Sequence, residues 1–285
     1  MDRRRFLTAT GLCFAGSMLA RAATESPFAD IEARLGGRVG VMAVDTGDGS
    51  AMSHRADERF AMCSTFKWVL AAFVLSQVER GDMSLDERLS YGPDDLLSYA
   101  PVAKKYVDRG WPTVNALCSA TVTVSDNTAA NLLLHRLGGP SELTAFLRQG
   151  GDNITRLDRN EPDLNTNLPG DERDTTTPRA MAGTMNRILL GEEILSPASR
   201  GKLTGWLKET STGLERLRAG LPGTWTAGDK TGTGVNGAAN DVALAWPPNR
   251  EPILIAAYLS DSDATPDALN TAHADIARAV AAQLG

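Results

Sequence analysis

The chain has 285 residues, 42% of them hydrophobic, which is enough for one large domain or two interleaved ones and excludes a miniprotein held together by disulfides. Its 29 basic side chains stand against 35 acidic ones, a balance that argues against nucleic acid or an anionic membrane as partner. The three histidines, His54, His135 and His273, are scattered without ligand spacing, which argues against a zinc centre and weakens any Ser-His-Asp triad.

Residues 1–22 read as an export signal. Asp2-Arg3-Arg4-Arg5-Phe6-Leu7 leads into an uncharged stretch from Leu7 to Ala20, and Ala20-Arg21-Ala22 offers small residues for cleavage near Ala22. Paired arginines followed by Phe and Leu resemble a twin-arginine signal, the route taken by folded proteins, with an ordinary secretory signal as the alternative. The apolar run is short for a membrane span, so a periplasmic protein without stable membrane association is expected. Cleavage removes four arginines and one aspartate and leaves 25 basic and 34 acidic side chains, a net charge of −9. Cys63 and Cys118 remain, and nothing in the sequence brings them together, so two free, buried thiols are expected.

Beyond the signal, Phe28, Ile31 and Leu35 mark a first helix ended by Gly36-Gly37. Val39–Asp45 and Ala51–Arg55 flank a Gly-rich turn and read as a hairpin. From Thr65 to Arg80 there is neither Gly nor Pro, and Phe66, Val69, Leu70, Phe73, Val74 and Val78 recur at helical spacing up to Gly81, which predicts a buried amphipathic helix. Helical signals continue to about Glu209, with helices expected over Thr113–Val124 and Thr128–Leu137, and with caps at Ser141, Thr177 and Ser196. Strands return at Trp225–Lys230, Asp241–Trp246 and Ile253–Leu259, before a last helix from about Pro266 to Leu284. The expected fold is α+β: residues 23–63 and 210–285 form one five-stranded antiparallel sheet with the terminal helices against it, and residues 64–209 form an inserted all-helical block. A cleft at their junction would open beside Ser64.

Four short motifs carry the chemistry. Ser64 and Lys67 stand three apart at a helix start, so both face one side and the amine can reach the hydroxyl. An isolated S-x-x-K more often describes a helix cap followed by a surface lysine. Ser125-Asp126-Asn127 lies between two helices and fits a plain cap and turn as well as a site. Lys230-Thr231-Gly232, followed by Thr233-Gly234, ends a strand; a lysine there suits an exposed edge, whereas the glycines suggest a backbone that a ligand approaches closely. Glu161-Pro162-Asp163-Leu164-Asn165 sits in a polar loop of about 154–176 without helical periodicity, and a loop of that length is usually functional.

The four together, in this order, resemble the set found in class A serine β-lactamases, with S-x-x-K, S-D-N and K-T-G shared by penicillin-binding proteins. The resemblance runs through the whole mature chain. It implies an α/β/α sandwich and a hydrolase of the β-lactam amide of penicillins and cephalosporins, without metal or organic cofactor and expected to be a monomer. It casts Ser64 as nucleophile, with Ser64 and Thr233 N–H groups for the oxyanion, Lys67 as its proton-handling neighbour and Ser125 as relay to the leaving nitrogen. Glu161 and Asn165 would hold and deprotonate the hydrolytic water. Asn127 would bind the substrate side-chain amide, Lys230 and Thr231 beside Gly232 its carboxylate, and Tyr99 would stand at the cleft rim. Arg159 and Asp174 match an ion pair that pins the loop, and Pro162 would follow a cis peptide. Ala238-Ala239-Asn240-Asp241 stands where penicillinase types carry an arginine, Arg216 fits an alternative carboxylate-binding arginine, and with Thr233 these point to an extended-spectrum cephalosporinase. Cys63 matches one half of a carbapenemase disulfide, but Gly234 occupies the other half's position. A β-lactam-binding sensor or a D,D-peptidase shares three of the motifs and lacks the Glu161 loop.

Overall fold

The computed structural model describes residues 26–108 and 112–285; the expected signal segment lies outside them. Helix α1 (Pro27–Leu35) leads into strands β1 (Arg38–Asp45), β2 (Ala51–His54) and the two-residue β3 (Phe60–Ala61). Then come α2 (Phe66–Arg80), α3 (Ala103–Tyr106), α4 (Val114–Thr123), α5 (Asn127–Arg136), α6 (Pro140–Gln149), the short β4 (Thr175–Thr176), α7 (Pro178–Met185), α8 (Pro197–Lys208) and α9 (Leu217–Gly220). Strands β5 (Thr226–Thr233), β6 (Ala239–Trp246) and β7 (Ile253–Ser260) and the long helix α10 (Pro266–Leu284) complete the chain.

The main sheet runs β2-β1-β7-β6-β5, every pair antiparallel. Strand alternation divides its side chains between two cores. Val41, Ala43, Ile253, Ile255 and Ala257 pack with α1 and α10 through Phe28, Ile31, Ile276 and Val280. Met42, Val242, Leu244, Leu254 and Ala256 face the helical block, meeting Phe60, Phe66, Val69 and Met181. Central strands buried on both faces have no polar side to show, which is why β7 reads as an uninterrupted apolar run. The result is the expected sandwich, with the sheet between its terminal helices and the inserted helices.

Helix α2 is the axis of that block. It is buried from Phe66 through Ser76 on all sides, not on one face as the spacing suggested, because α4, α5, α6 and α8 surround it. Gly81, at φ 80°, ends it as expected. Ser64 itself lies one step earlier, in a 3₁₀ turn over Cys63–Thr65, so Lys67 belongs to the helix and Ser64 to its approach. Helix α5 starts one residue earlier than expected, at Asn127 with Asp126 as its cap, and one expected cap moves: α6 starts on Pro140 after Gly139, so Ser141 lies inside its first turn. Thr177 and Ser196 do cap α7 and α8, each accepting from a backbone N–H. The β3–β4 pair, Phe60 with Thr176 and Ala61 with Thr175, is an addition: two-residue strands leave no periodicity to read.

Asp126 does more than cap. One carboxylate oxygen accepts from Val102 and Ala103 N–H at 2.8 Å each, and the other from Ala129 N–H at 2.9 Å. The side chain is fully buried and ties the starts of α3 and α5 at one point. Asp126→Ala strands those three donors and should cost about 2–4 kcal/mol, read as a lower urea midpoint at unchanged slope; an unchanged midpoint would refute this bracing role.

Candidate active site

The site is built where the 3₁₀ turn at Ser64 is pressed against the end of β5. Cys63 holds a left-handed φ of 45°, and Asn240 on β6 donates to Ala61 and Met62 carbonyls at 2.8 and 3.1 Å, so the turn is tied to the sheet from below. The approach leaves no room at position 232: a Cβ there would lie 2.6 Å from the Met62 carbonyl oxygen and 3.1 Å from Ser64 N. Gly232 is thus required by contact between two backbones.

Around that turn four buried polar side chains converge, Lys67, Ser125, Glu161 and Lys230. Ser64 Oγ donates to Glu161 Oε1 at 2.8 Å, and Lys67 Nζ reaches the same oxygen at 3.0 Å. The expected Ser64–Lys67 contact is therefore made through a shared carboxylate oxygen. Lys67 also donates to Asn127 Oδ1 at 2.5 Å and to Ser125, at 2.9 Å on the carbonyl and 3.3 Å on Oγ. Lys230 Nζ donates to the same Ser125 Oγ at 3.0 Å and to Thr231 O at 2.8 Å. A hydroxyl oxygen that accepts from two ammonium groups has its own proton left to donate elsewhere. Ser125 thus sits as a proton donor between two lysines, held in a left-handed turn at φ 58°.

Burial sets the charges. Withdrawal from water pushes the Lys67 amine down, with Glu161 opposing. Burial alone would raise the Glu161 carboxyl, but the Lys67 charge and hydrogen bonds from Lys67, Ser64 and Asn165 outweigh it and hold the group below its ordinary range. Lys230 is pushed down to about 7, by burial first and then by the nearby Lys67, against the pull of Asp229, Asp241 and Glu161.

Glu161 is held from behind. Asn131 on α5 donates to the Glu161 carbonyl at 2.8 Å and accepts from its N–H at 3.0 Å, and Asn165 Nδ2 donates to Oε2 at 2.5 Å. The Glu161–Pro162 bond is cis, as expected. At the loop's base Asp174 accepts from Arg159 Nε at 2.6 Å and from the Asp158 and Arg159 N–H groups at 2.7 and 2.9 Å, so the expected ion pair is also a backbone clamp.

A cavity of about 360 Å³ opens over these groups. Ser64, Ser125 and Asn127 form its floor with Thr231, Gly232 and Thr233, while Asn165, Arg216 and Tyr99 line its sides. Lys67, Glu161 and Lys230 lie just beneath, each buried, and reach it through the hydroxyls. Tyr99 is half exposed, as a rim residue should be, with its hydroxyl on the Val124 carbonyl at 3.2 Å. Arg216 donates to Gly232 O at 2.9 Å, Asn240 O at 2.7 Å and Thr233 Oγ1 at 2.7 Å. Two residues escaped the sequence. Thr212 lines the cavity and shares a 2.7 Å hydrogen bond with Thr231, without any pattern around it to mark it. Asn131 had a signal, since it follows Asn127 by four and shares its helix face.

Asn240 and Asp241, read as part of the extended-spectrum pattern, lie outside the cavity. Both are buried, Asn240 under the nucleophile turn and Asp241 below the strand, where it accepts from Leu217 N–H at 3.1 Å. Burial, and then the neighbouring Asp229, push Asp241 well up; Asp229 is raised too, by burial, despite its ion pair with Arg218. Cys63 and Cys118 are free and buried, and burial raises the Cys63 thiol to about 12. A Cβ at Gly234 would stand 2.8 Å from Cys63 Sγ, so position 234 is the neighbour expected of it. Among the described residues no group of three or more His, Cys, Asp or Glu side chains is arranged to hold a metal.

Three comparisons bear on this geometry. Residues 23–284 match the model of the "Beta-lactamase enzyme family". The chain is 45% identical to β-lactamase AST-1 of Nocardia asteroides, covering all of this chain and 96% of that one, and 48% identical to β-lactamase L2 of Stenotrophomonas maltophilia, over 91% of each. Among solved structures, the class A β-lactamase of the last common ancestor of Gram-negative bacteria superposes with a TM-score of 0.89 at 56% identity, over 90% of this chain and 98% of that one. The putative class A enzyme PenP of Rhodopseudomonas palustris gives 0.87 at 51%, over 90% and 97%. With the serine, its two lysines and the carboxylate loop found in one cavity, and relatives alike over nearly their full length, the chain belongs to the class A serine branch of the β-lactamase family.

Proposed function

We propose that the protein is an exported enzyme that hydrolyses penicillins and a broad range of cephalosporins through an acyl-serine, and so confers resistance to them. The observation that carries this reading is the convergence of Ser64 Oγ and Lys67 Nζ on one oxygen of Glu161, at 2.8 and 3.0 Å, beneath an open cavity. Ser64 Oγ bonds to the lactam carbonyl carbon while its proton passes into the Lys67–Glu161 pair. The Ser64 and Thr233 N–H groups stabilise the oxyanion. As the C–N bond breaks, Ser125 gives its proton to the ring nitrogen and regains one from a lysine. Glu161, ionised again once that proton has passed on through Lys67, then takes a proton from water as the water oxygen bonds to the acyl carbon; the C–O bond to Ser64 breaks, Glu161 returns the proton to Ser64 Oγ, and the ring-opened acid leaves. Asn165, with Nδ2 on Glu161 and Oδ1 without a protein partner, suits the second contact to that water.

The substrate carboxylate would lie against Thr231, Thr233 and Arg216, with the Lys230 charge behind. Arg216 at the cavity wall supports the reading of an arginine displaced from the strand, as in extended-spectrum enzymes, and Thr233 offers a further hydroxyl there. Gly234 beside Cys63 withholds the second half of a carbapenemase-type disulfide, so carbapenems are left out of the proposed range.

Glu161→Ala should retain acylation by a chromogenic cephalosporin, seen as added mass on the protein, while turnover falls by about 10²–10⁴-fold. Turnover equal to the unsubstituted enzyme would remove Glu161 from deacylation. Acylation without turnover by the unsubstituted protein would instead make it a β-lactam-binding sensor, and release of terminal D-alanine from a peptidoglycan peptide a D,D-peptidase.

Because Lys230 loses its charge as pH rises through about 7 in the free enzyme, kcat/KM for carboxylate-bearing substrates should decline on that alkaline side, and Lys230→Arg should carry the decline to higher pH. Identical pH profiles for the two would take Lys230 out of carboxylate binding.

We assign the enzyme to the periplasm through the twin-arginine route, on the strength of Arg3, Arg4 and Arg5 before Phe6-Leu7. Replacing these three arginines with lysine keeps the charge and should retain the protein in the cytoplasm, measured by fractionation. Undiminished export would point to the general secretory route.

A further inference from the structure

We infer that Asn167 and Asn236 form a clasp that positions the deacylating carboxylate, an inference that rests on the hydrolytic reading above. Asn167 lies on the catalytic loop and Asn236 at the tip of the β5–β6 hairpin, and both hold left-handed backbones, φ 40° and 52°, which asparagine tolerates better than most residues. They exchange side-chain hydrogen bonds. Asn167 Nδ2 donates to Asn236 O at 3.0 Å, Val235 O at 3.3 Å and Ser260 Oγ at 3.0 Å. Asn236 Nδ2 donates back to Asn167 O at 3.0 Å and Thr166 O at 3.3 Å.

The clasp has a direct line to the chemistry. Val235 N–H donates to the Asn165 carbonyl at 3.1 Å, and a Cβ at Gly234 would lie 2.6 Å from that oxygen, so hairpin and loop meet backbone to backbone at Asn165. Asn165 then holds Glu161 Oε2 at 2.5 Å, while Oε1 meets Ser64. The base of the loop is secured by Arg159–Asp174 and its catalytic end by Asn131; between Thr166 and Asn167 the securing bonds are those of the clasp. Neither asparagine lines the cavity, and Asn236 is exposed, so both act through Asn165 as positioning residues.

The kinetics separate this role from general damage. For an acyl-enzyme pathway kcat/KM contains only the steps through acylation, whereas slower release of the acyl group lowers kcat and KM together. Asn236→Gly keeps the left-handed tip and removes the amide. Asn236→Asp and Asn167→Asp keep the shape and remove the donor. With benzylpenicillin we expect each variant to lose about tenfold in kcat and a similar factor in KM, with kcat/KM held within about threefold and more acyl-enzyme trapped on acid quench. Two results would overturn the clasp while leaving the enzyme a hydrolase: constants like those of the unsubstituted protein in all three variants, or kcat/KM falling in step with kcat at constant KM. If the unsubstituted protein failed to release benzylpenicillin's acyl group, both the clasp and the hydrolytic reading would fall.

Discussion

A lysine ammonium and a glutamate carboxylate, both withdrawn from water and 3.0 Å apart, set the terms for the rest of this molecule. Either charge alone at that depth would carry a desolvation penalty of several kcal/mol. Each is tolerable because the other is present and because hydrogen-bond partners take up what remains: Asn127 and Ser125 on the lysine, Ser64 and Asn165 on the glutamate. The lysine arrives on the most buried helix of the fold. The glutamate arrives on a loop without regular structure, which alone would not hold a carboxylate to a fraction of an ångström. The Asn131 bracket, the Asp174 clamp and the bonds to the hairpin answer that need, turning an irregular segment into a fixed support.

The strand beside the nucleophile has a second set of buried charges. Lys230 lies beneath the cavity floor, while Asp229 and Asp241 occupy the opposite face of the β5–β6 pair, Asp229 in an ion pair with Arg218. The Asp229 and Asp241 carboxyls favour the charged form of Lys230 and Arg216 against the burial that depresses both. A buried carboxyl pair beneath the strand thus bears on how the cavity attracts its ligand, although neither oxygen touches it.

Much of this was legible in the chain because it depends on local pattern. The Gly-rich turn between two short runs marked β1 and β2, an apolar run marked β7, Pro at the first turn marked α7 and α8, and Gly81 marked the end of α2. The four motifs were legible as a set, although each was ambiguous alone, and they do meet in one cavity. What escaped shares one physical character: a side chain bonded to backbone or hydroxyl far away in sequence. Thr212 on Thr231, Asn240 under Met62 and the Asn167–Asn236 exchange have no signature within a turn of their own positions.

The free state of Cys63 and Cys118 has one more implication. Neither thiol reaches solvent, and the first, beside the nucleophile, is raised so far that almost none of it is thiolate at neutral pH. The described fold therefore has no step that waits on an oxidant, and its stability is the same matter in a reducing compartment as in an oxidising one. Such a fold can be completed, active site included, without the oxidation of either thiol.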